Sequence, residues 1–495
     1  MNGNGFNSEE QPLRSRERPR QRGRRARRRK GRLAVPLTAG IVVLGFVGYG
    51  VADAYDTVPG FLTTAPEQVI DPLPEPVAHA GSASAGKRLD ADAPVPANIA
   101  DRLDSALAAK GLKGKVGAEV RDAVTGDVLY SEGAQRQRTP ASVTKALTAA
   151  AALGRLGAQS TFTTSAALSQ SGGTPTLSLV GGGDVLLGAG ASQPDQISGR
   201  AGLGTLAAST AAALKDKGVD SVRLSADLSR YAKPDFNAGW QRADIAAGYI
   251  APIGPLMIDA ARTRPVRNAP READPAAVAL DAFATALEKQ GIDVAQAKPA
   301  QAAQDSQTLA SVQSAPLADV LRYALLESDN VVSEVMGHEV AISMGAEPSE
   351  DGAPQAVLDA LAGMKLDTGS ISLKDTSGLN YGNRISPHDL AGVLRQAAAA
   401  DGDLSLLVPN MPVGGLSGTL ADRFRDAGSK AAAGRVSAKT GTLSTVSSLA
   451  GTVLTDDGRL LVFALMADGL PAGSAQSARA VLDRTVSSLS QCGCS

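Results

Sequence analysis

Histidine is scarce in this chain, with three in 495 residues. Chemistry built on imidazole therefore has little to draw on, which disfavours both a serine nucleophile activated by histidine and a histidine-ligated metal. Cysteine is scarcer still. The two present, Cys492 and Cys494, form Cys-Gly-Cys at the extreme C-terminus. That close together they are poorly placed for an ordinary structural disulfide, and the further ligands of a zinc site are missing beside them. The body is expected to fold without disulfides, residues 491–495 read as an exposed tail, and no cofactor or metal is expected. Aromatic residues are only 3%, while alanine and glycine abound, a compositional bias that points to no function.

What is present is an ordinary globular balance, 43% hydrophobic and 20% charged, with enough apolar material for a core. The length exceeds one compact domain and implies two or more units with accessory segments. The formal net charge of −1 hides a strong asymmetry. Residues 1–32 carry a run dominated by arginine from Arg14 to Arg32 with no large apolar side chain. Alone, such a run could bind nucleic acid or acidic lipid. The uncharged stretch Leu33 to Ala52 that follows changes this reading. About 20 residues at 1.5 Å each match a hydrocarbon core of roughly 30 Å. Basic residues before it and Asp53 after it orient the N-terminus inward and the rest outward. The favoured reading is a retained single-pass anchor over 33–52 behind a basic cytoplasmic tail, with a cleaved export signal as the alternative. No nucleic-acid partner is expected, and the body is placed outside the membrane.

Residues 53–96, rich in Pro, Ala, Asp and Gly, read as a disordered linker. Ala97 to Lys110 has apolar residues at helical spacing, and Val116 to Tyr130 alternates around Thr-Gly-Asp, a turn between two strands. Val143 to Leu156 is alanine-rich and helical. From about Gln159 to Gln313 the texture changes, with Gly181-Gly-Gly-Asp184 marking a tight turn, Ser221 to Leu228 a strand and Ala277 to Gln290 a helix. Ala315 to Met344, with a short break at Ser328-Asp-Asn330, and Pro354 to Leu366 are again helical. Val436 to Leu454 and Leu460 to Met466 read as strands of one sheet, closed by a helix near Ser474 to Leu489.

Three short strings carry chemistry: Ser142-Val-Thr-Lys145, Ser328-Asp-Asn330 and Lys439-Thr-Gly-Thr442. Each alone has a bland explanation as a helix cap, an Asx turn or a strand lysine. Together, in this order, they describe an acyl-transfer site built from serines and lysines. Ser142 and Lys145 lie three apart on one helical face. A serine hydroxyl needs a base within hydrogen-bond reach, and a lysine can serve once desolvation lowers its pKa. The start of that helix offers free N–H groups and a positive dipole end to a developing oxyanion. Ser328 could relay a proton to a leaving amine, and Asn330 could bond both a lysine and a substrate amide. Lys439, Thr440 and Thr442, beside a Gly441 that lets a ligand approach the backbone, would grip a carboxylate. Glu334, four residues after Asn330, could be structural or could orient the site, with structural favoured, and His338 and His388 have no partner pattern and receive no role.

The set resembles the penicillin-recognising serine enzymes. The long interval between Lys145 and Ser328, with LVGGGDVLL (Leu179 to Leu187) and DFNAGWQ…YIAPIGPLMID (Asp235 to Asp259) inside it, resembles one branch. That branch is the D-alanyl-D-alanine carboxypeptidase/endopeptidase family, the class C low-molecular-mass penicillin-binding proteins. Asp375-Thr-Ser-Gly-Leu-Asn380 and Gly414-Gly-Leu-Ser-Gly-Thr419 also look like segments of that family, although Asp375-Thr-Ser departs from its more usual Asp-Gly-Ser or Asp-Ala-Ser. The resemblance implies an α+β fold: a transpeptidase/β-lactamase-like domain with an antiparallel sheet flanked by helices, over 97–158 and 314–490. A large insertion, 159–313, would follow the nucleophile helix.

The same resemblance implies that Ser142 attacks the carbonyl between two terminal D-alanines of a peptidoglycan stem peptide, with Lys145 as base. The N–H groups of Ser142 and Thr442 would hold the oxyanion, and Ser328 would pass a proton to the departing D-alanine. Lys439, Thr440 and Thr442 would bind its carboxylate, and water would resolve the acyl-enzyme. β-Lactams would act as covalent inhibitors, and cross-bridge endopeptidase activity is a further expectation. Two rival readings are a serine β-lactamase, for which no glutamate motif supplies the deacylating base, and a catalytically silent cell-wall binding protein.

Overall fold

The structure is a computed structural model, and it describes residues 99–491 apart from 109–111, 113, 114 and 172. The basic run, the apolar span 33–52, the linker 53–96 and the Cys492–Cys494 tail lie outside the described residues. Among the described residues, no helix is long and apolar enough to cross a membrane.

The chain begins with α1 (Ile99–Leu107), the hairpin strands β1 (Lys115–Asp122) and β2 (Val128–Glu132), and α2 (Thr144–Leu156). Next come β3 (Thr163–Ser169), β4 (Thr176–Val180), α3 (Leu203–Asp216), β5 (Ser221–Asp227), α4 (Pro275–Lys289), β6 (Asp293–Gln296) and β7 (Gln307–Gln313). Four helices follow: α5 (Leu317–Glu327), α6 (Asn330–Ser343), α7 (Gly352–Gly363) and α8 (Pro387–Ala398). Last are β8 (Val436–Leu443), β9 (Val446–Leu454), β10 (Leu460–Asp468) and α9 (Ala475–Ser490).

One five-stranded sheet, in the order β2-β1-β10-β9-β8, is antiparallel throughout. Its strand β10 is buried on both faces, and the period of two divides it cleanly. Leu461, Phe463, Leu465 and Ala467 pack with α1 and α9, while Val462, Ala464 and Met466 face the core that holds α2, α6, α7 and α8. Helix α2 is central to that second core. Its alanines at 146 and 149–152 are buried, and such small side chains let other helices approach while favouring helix themselves.

The second sheet, β6-β5-β4-β3-β7, is mixed, with β4, β5 and β6 parallel and β3 antiparallel to β4 and β7. Helices α3 and α4 seal one face with Leu203, Leu206, Leu214, Leu280, Phe283 and Leu287. The stretch between β5 and α4 only partly joins that core, through Leu256 with Leu228 and Ile258 beside it. Its Tyr231, Phe236, Trp240, Ile250, Ile253 and Met257 pack instead with α2, α5 and α6. Part of the long interval between the first two motifs thereby becomes a wall beside them.

Candidate active site

Ser142 sits in a single 3-10 turn, Ala141–Val143, that runs directly into α2. Ala141 before it is held at φ +53°, a left-handed conformation that costs a non-glycine residue on the order of 1 kcal/mol. The turn is pinned from both sides. Thr144 Oγ1 donates to the Ala141 carbonyl at 2.9 Å, and Gly378, at φ +87°, packs where a Cβ would collide with that same carbonyl. On the other side lies Gly441 of β8. A Cβ there would stand 2.6 Å from the Pro140 carbonyl and 3.3 Å from the Ser142 amide. The glycine in the third string thus admits the nucleophile turn, whereas the sequence reading assigned it to the approach of a ligand.

Lys145 lies one turn into the run and is 1% exposed. Its Nζ donates to Ser142 Oγ at 3.1 Å, Asn330 Oδ1 at 2.6 Å and the Ser377 carbonyl at 2.7 Å. Burial pushes its pKa down to about 8, against the opposing pull of the Asp375, Glu334 and Asp329 carboxylates. The geometry places an amine of near-neutral pKa on the hydroxyl of Ser142, which is what a serine needs from a base.

Ser328 and Asn330 flank the one break between α5 and α6. Ser328 closes α5 at φ +54°, Asp329 caps α6 by accepting from the Val332 amide, and Asn330 begins it. Ser328 Oγ accepts from Lys439 Nζ at 2.8 Å. Asn330 Nδ2 donates to the Tyr249 carbonyl at 2.9 Å, which fixes the amide so that its oxygen faces Lys145.

Lys439 to Thr442 belong to β8, the edge of the antiparallel sheet. The Ala438 amide points off that edge to the Pro412 carbonyl, and the strand period of two turns the Thr440 and Thr442 amides the same way. Lys439 is fully buried. Desolvation pushes its pKa well down, and the nearby Lys145, Arg267 and Arg423 cations add to this. Thr440 Oγ1 bonds Thr419 Oγ1 at 2.9 Å, so the Gly414–Thr419 segment lines the same place. The three strings converge on one place: Ser142, Lys145, Ser328, Asn330 and the Lys439–Thr442 edge are linked by direct hydrogen bonds or close packing.

A model of the D-Ala-D-Ala carboxypeptidase 3 (S13) family matches residues 99–272 and 260–489. The chain belongs to this family. Carboxypeptidase DacB of Mycolicibacterium smegmatis is 36% identical over 432 residues, covering 86% of this chain and 91% of that protein. A D-alanyl-D-alanine carboxypeptidase of an Actinomadura species is 30% identical over 444 residues, covering 75% and 81%. Among solved structures, penicillin binding protein 4 (dacB) from Haemophilus influenzae superposes with a TM-score of 0.64 at 23% identity, over 79% of this chain and 98% of that one. The penicillin-binding/β-lactamase-like α+β fold, two sheets with helices, is thereby shared.

Several residues outside the three strings also shape the site. Glu334, one turn into α6, is fully enclosed and accepts from the Thr376 amide at 3.0 Å, Thr376 Oγ1 at 2.7 Å and the Ser377 amide at 2.8 Å. It so sets the Ser377 carbonyl that Lys145 uses. Asp375 accepts from Trp240 Nε1 at 2.9 Å and from the Gly378 and Asn380 amides, closing the same loop against the inserted stretch. A helical spacing of four from Asn330 was the one available signal for Glu334. Trp240 and Asp375 lie in the two family-like segments Asp235 to Asp259 and Asp375 to Asn380, but nothing in the sequence paired them. His338 is buried on α6 with its ring 4.9 Å from that of Tyr231. His388, on α8, bonds Glu119 and Arg121. Neither bonds any residue of the three strings.

Proposed function

We propose that this chain is a serine-type D-Ala-D-Ala carboxypeptidase of peptidoglycan. The observation that carries the reading is the buried Lys145 amine, its pKa lowered to about 8, at 3.1 Å from Ser142 Oγ. Neutral Lys145 takes the Ser142 proton as Oγ attacks the carbonyl between the two terminal D-alanines. The amides of Ser142 and Thr442 receive the oxyanion. The departing amine gains its proton through Ser328, which Lys439 holds at 2.8 Å. Lys439, Thr440 and Thr442 bind the terminal carboxylate, and the acyl-enzyme is then released by water. Cleavage of cross-bridges uses the same bond type and would need only that the site accept a longer leaving group.

β-Lactams enter the same site as covalent inhibitors, because their amide carbonyl and carboxylate meet the same groups. The uncharged span 33–52, with arginines before it and Asp53 after it, supports a single-pass anchor that holds the body outside the membrane. Fluorescent penicillin and a pentapeptide ending in D-Ala-D-Ala test the reading together. Wild type should take a covalent label and release D-alanine, and Ser142→Ala should do neither. A wild type inert to both reagents would refute it. Rapid penicillin turnover without peptide hydrolysis would favour a β-lactamase.

A further inference from the structure

The middle residue of Ser328-Asp329-Asn330 has no part in the acyl transfer just described, yet it is deeply engaged. Asp329 is 2% exposed. Its Oδ2 accepts from Arg262 Nη2 at 2.5 Å and Arg271 Nη2 at 3.0 Å, while Oδ1 accepts from the Val332 amide at 3.1 Å. Both guanidinium groups are buried as well. They belong to one loop of the inserted stretch, whose ends pair as an antiparallel bridge between Arg262 and Arg271. The middle of the loop adds a third cation. Arg267 Nη2 donates to the carbonyls of Leu326 and Glu327 at 3.2 Å each, at the C-terminal end of α5, where a cation complements the free carbonyls.

These contacts bracket a single residue. Arg267 holds the chain just before Ser328, and Arg262 with Arg271 hold it just after. Ser328 between them sits at φ +54°, which serine rarely adopts and which persists when its flanks are over-determined. The loop is itself anchored: Arg271 Nε donates to the Gly248 carbonyl at 3.0 Å, and Arg262 Nη1 donates to Tyr323 OH of α5 at 2.7 Å. Burying two guanidinium groups on one carboxylate is a costly way to gain stability alone, and here its effect is local to the turn that carries the Ser328 hydroxyl.

We propose that Arg262, Arg267 and Arg271 are positioning residues, a clamp that holds Ser328 in its left-handed turn and so makes acyl transfer depend on the inserted loop. The proposal rests on the reading of Ser328 as the group that passes a proton to the leaving amine. None of the three arginines touches the reacting atoms.

The test is the second-order rate constant for acylation of the full chain by a fluorescent penicillin. The variants are Arg267→Gln, Arg271→Lys, Arg271→Met, Asp329→Asn and Ser328→Ala. Arg267 is exposed and outside the core, so Arg267→Gln should leave Tm within about 2 °C and still slow acylation by about fivefold or more, because small misplacements are amplified in rate. Arg271→Lys should be faster than Arg271→Met. In a Ser328→Ala background, Arg267→Gln should cost nothing further, since a residue that acts only through Ser328 then has nothing to position. Asp329→Asn, compared above pH 8 where the pull of Asp329 on the Lys145 pKa no longer limits the rate, should cost nothing further there either. Should Asp329→Asn fail to fold, the Arg267→Gln pair decides alone. Wild-type acylation by Arg267→Gln, or losses that multiply in the Ser328→Ala background, would overturn the clamp while the enzyme reading stands. A wild type that takes no label would overturn both.

Discussion

Asn330 Oδ1 accepts from Lys145 Nζ at 2.6 Å, closer than the 3.1 Å that separates the same nitrogen from Ser142 Oγ. With the Ser377 carbonyl at 2.7 Å, three acceptors surround one nitrogen. An ammonium would use all three as a donor. A neutral amine donates twice, to the amide and the carbonyl, which can only accept, and turns its lone pair on the one neighbour that can donate, the Ser142 hydroxyl. The arrangement therefore suits the base form as well as the acid form, and it aims the base at the nucleophile.

The first prediction concerns pH. Burial lowers the Lys145 pKa to about 8, and only the neutral amine can take the serine proton. Acylation by penicillin should rise about tenfold per pH unit on the acid side and level off above about pH 8. Stopped-flow acylation rates from pH 6 to 10 would show this limb. A flat profile across that range would exclude Lys145 as the titrating base.

Glu334 gives the second prediction, with the opposite sign to a simple loss. Its carboxylate raises the Lys145 pKa, and its own pKa is raised to about 7 by burial and by Asp375. Glu334→Gln removes the anion while retaining an acceptor for the Ser377 amide. The acylation limb should move to lower pH than in wild type. The plateau rate should fall because one amide oxygen replaces two carboxylate oxygens that hold Thr376 and Ser377. A limb that stays put or moves up would show that Glu334 does not act electrostatically on Lys145.

Much of this architecture was legible as pattern. The break between two helical runs at Ser328-Asp-Asn330 was visible because both runs are apolar at helical spacing and the interruption is polar. The strands after Val436 were visible by alternation. The helix Leu203–Asp216 was not read, because its run of Ala, Thr and Leu lacks a sharp polar face among glycine-rich neighbours. The mixed second sheet was not legible either, since parallel pairing between β4, β5 and β6 joins segments far apart in the chain. The contacts of Glu334 and Asp375, and the whole Arg262–Arg271 loop, escaped for the same reason: their partners lie dozens to hundreds of residues away, and single-sequence periodicity carries no such contacts.

Gly441 supports a third prediction. The main chain of Pro140 and Ser142 lies where a side chain on this residue would go, and backbone cannot swing aside as a flexible side chain can. Gly441→Ala should push β8 and the nucleophile turn apart by several tenths of an ångström. Acylation should slow by roughly 10- to 100-fold, with a Tm loss of a few degrees. Gly434, at φ +72° near Leu416 and away from the turn, is the control: Gly434→Ala should lower Tm through backbone strain without the loss of acylation. Equal acylation rates for the two variants would remove the steric argument.

The last prediction is a stability profile. Glu350 is 3% exposed, and its Oε1 lies 3.8 Å from His338 Nε2. Burial, with the Glu334 charge adding to it, raises its pKa from 4.5 to about 9. The folded chain thus keeps a proton that the unfolded chain releases near pH 4.5. Stability from this group is fully present below that value and declines as pH rises toward 9. Glu350→Gln removes the titration while keeping the shape. The Tm of the variant minus that of wild type should therefore grow from about pH 5 to pH 9, because the groups that do not interact with Glu350 titrate alike in both proteins and drop out of the difference. A difference that is constant with pH would mean that Glu350 is ionised in the folded protein throughout, paired with a protonated His338, and that the buried acid beside α6 is a salt bridge.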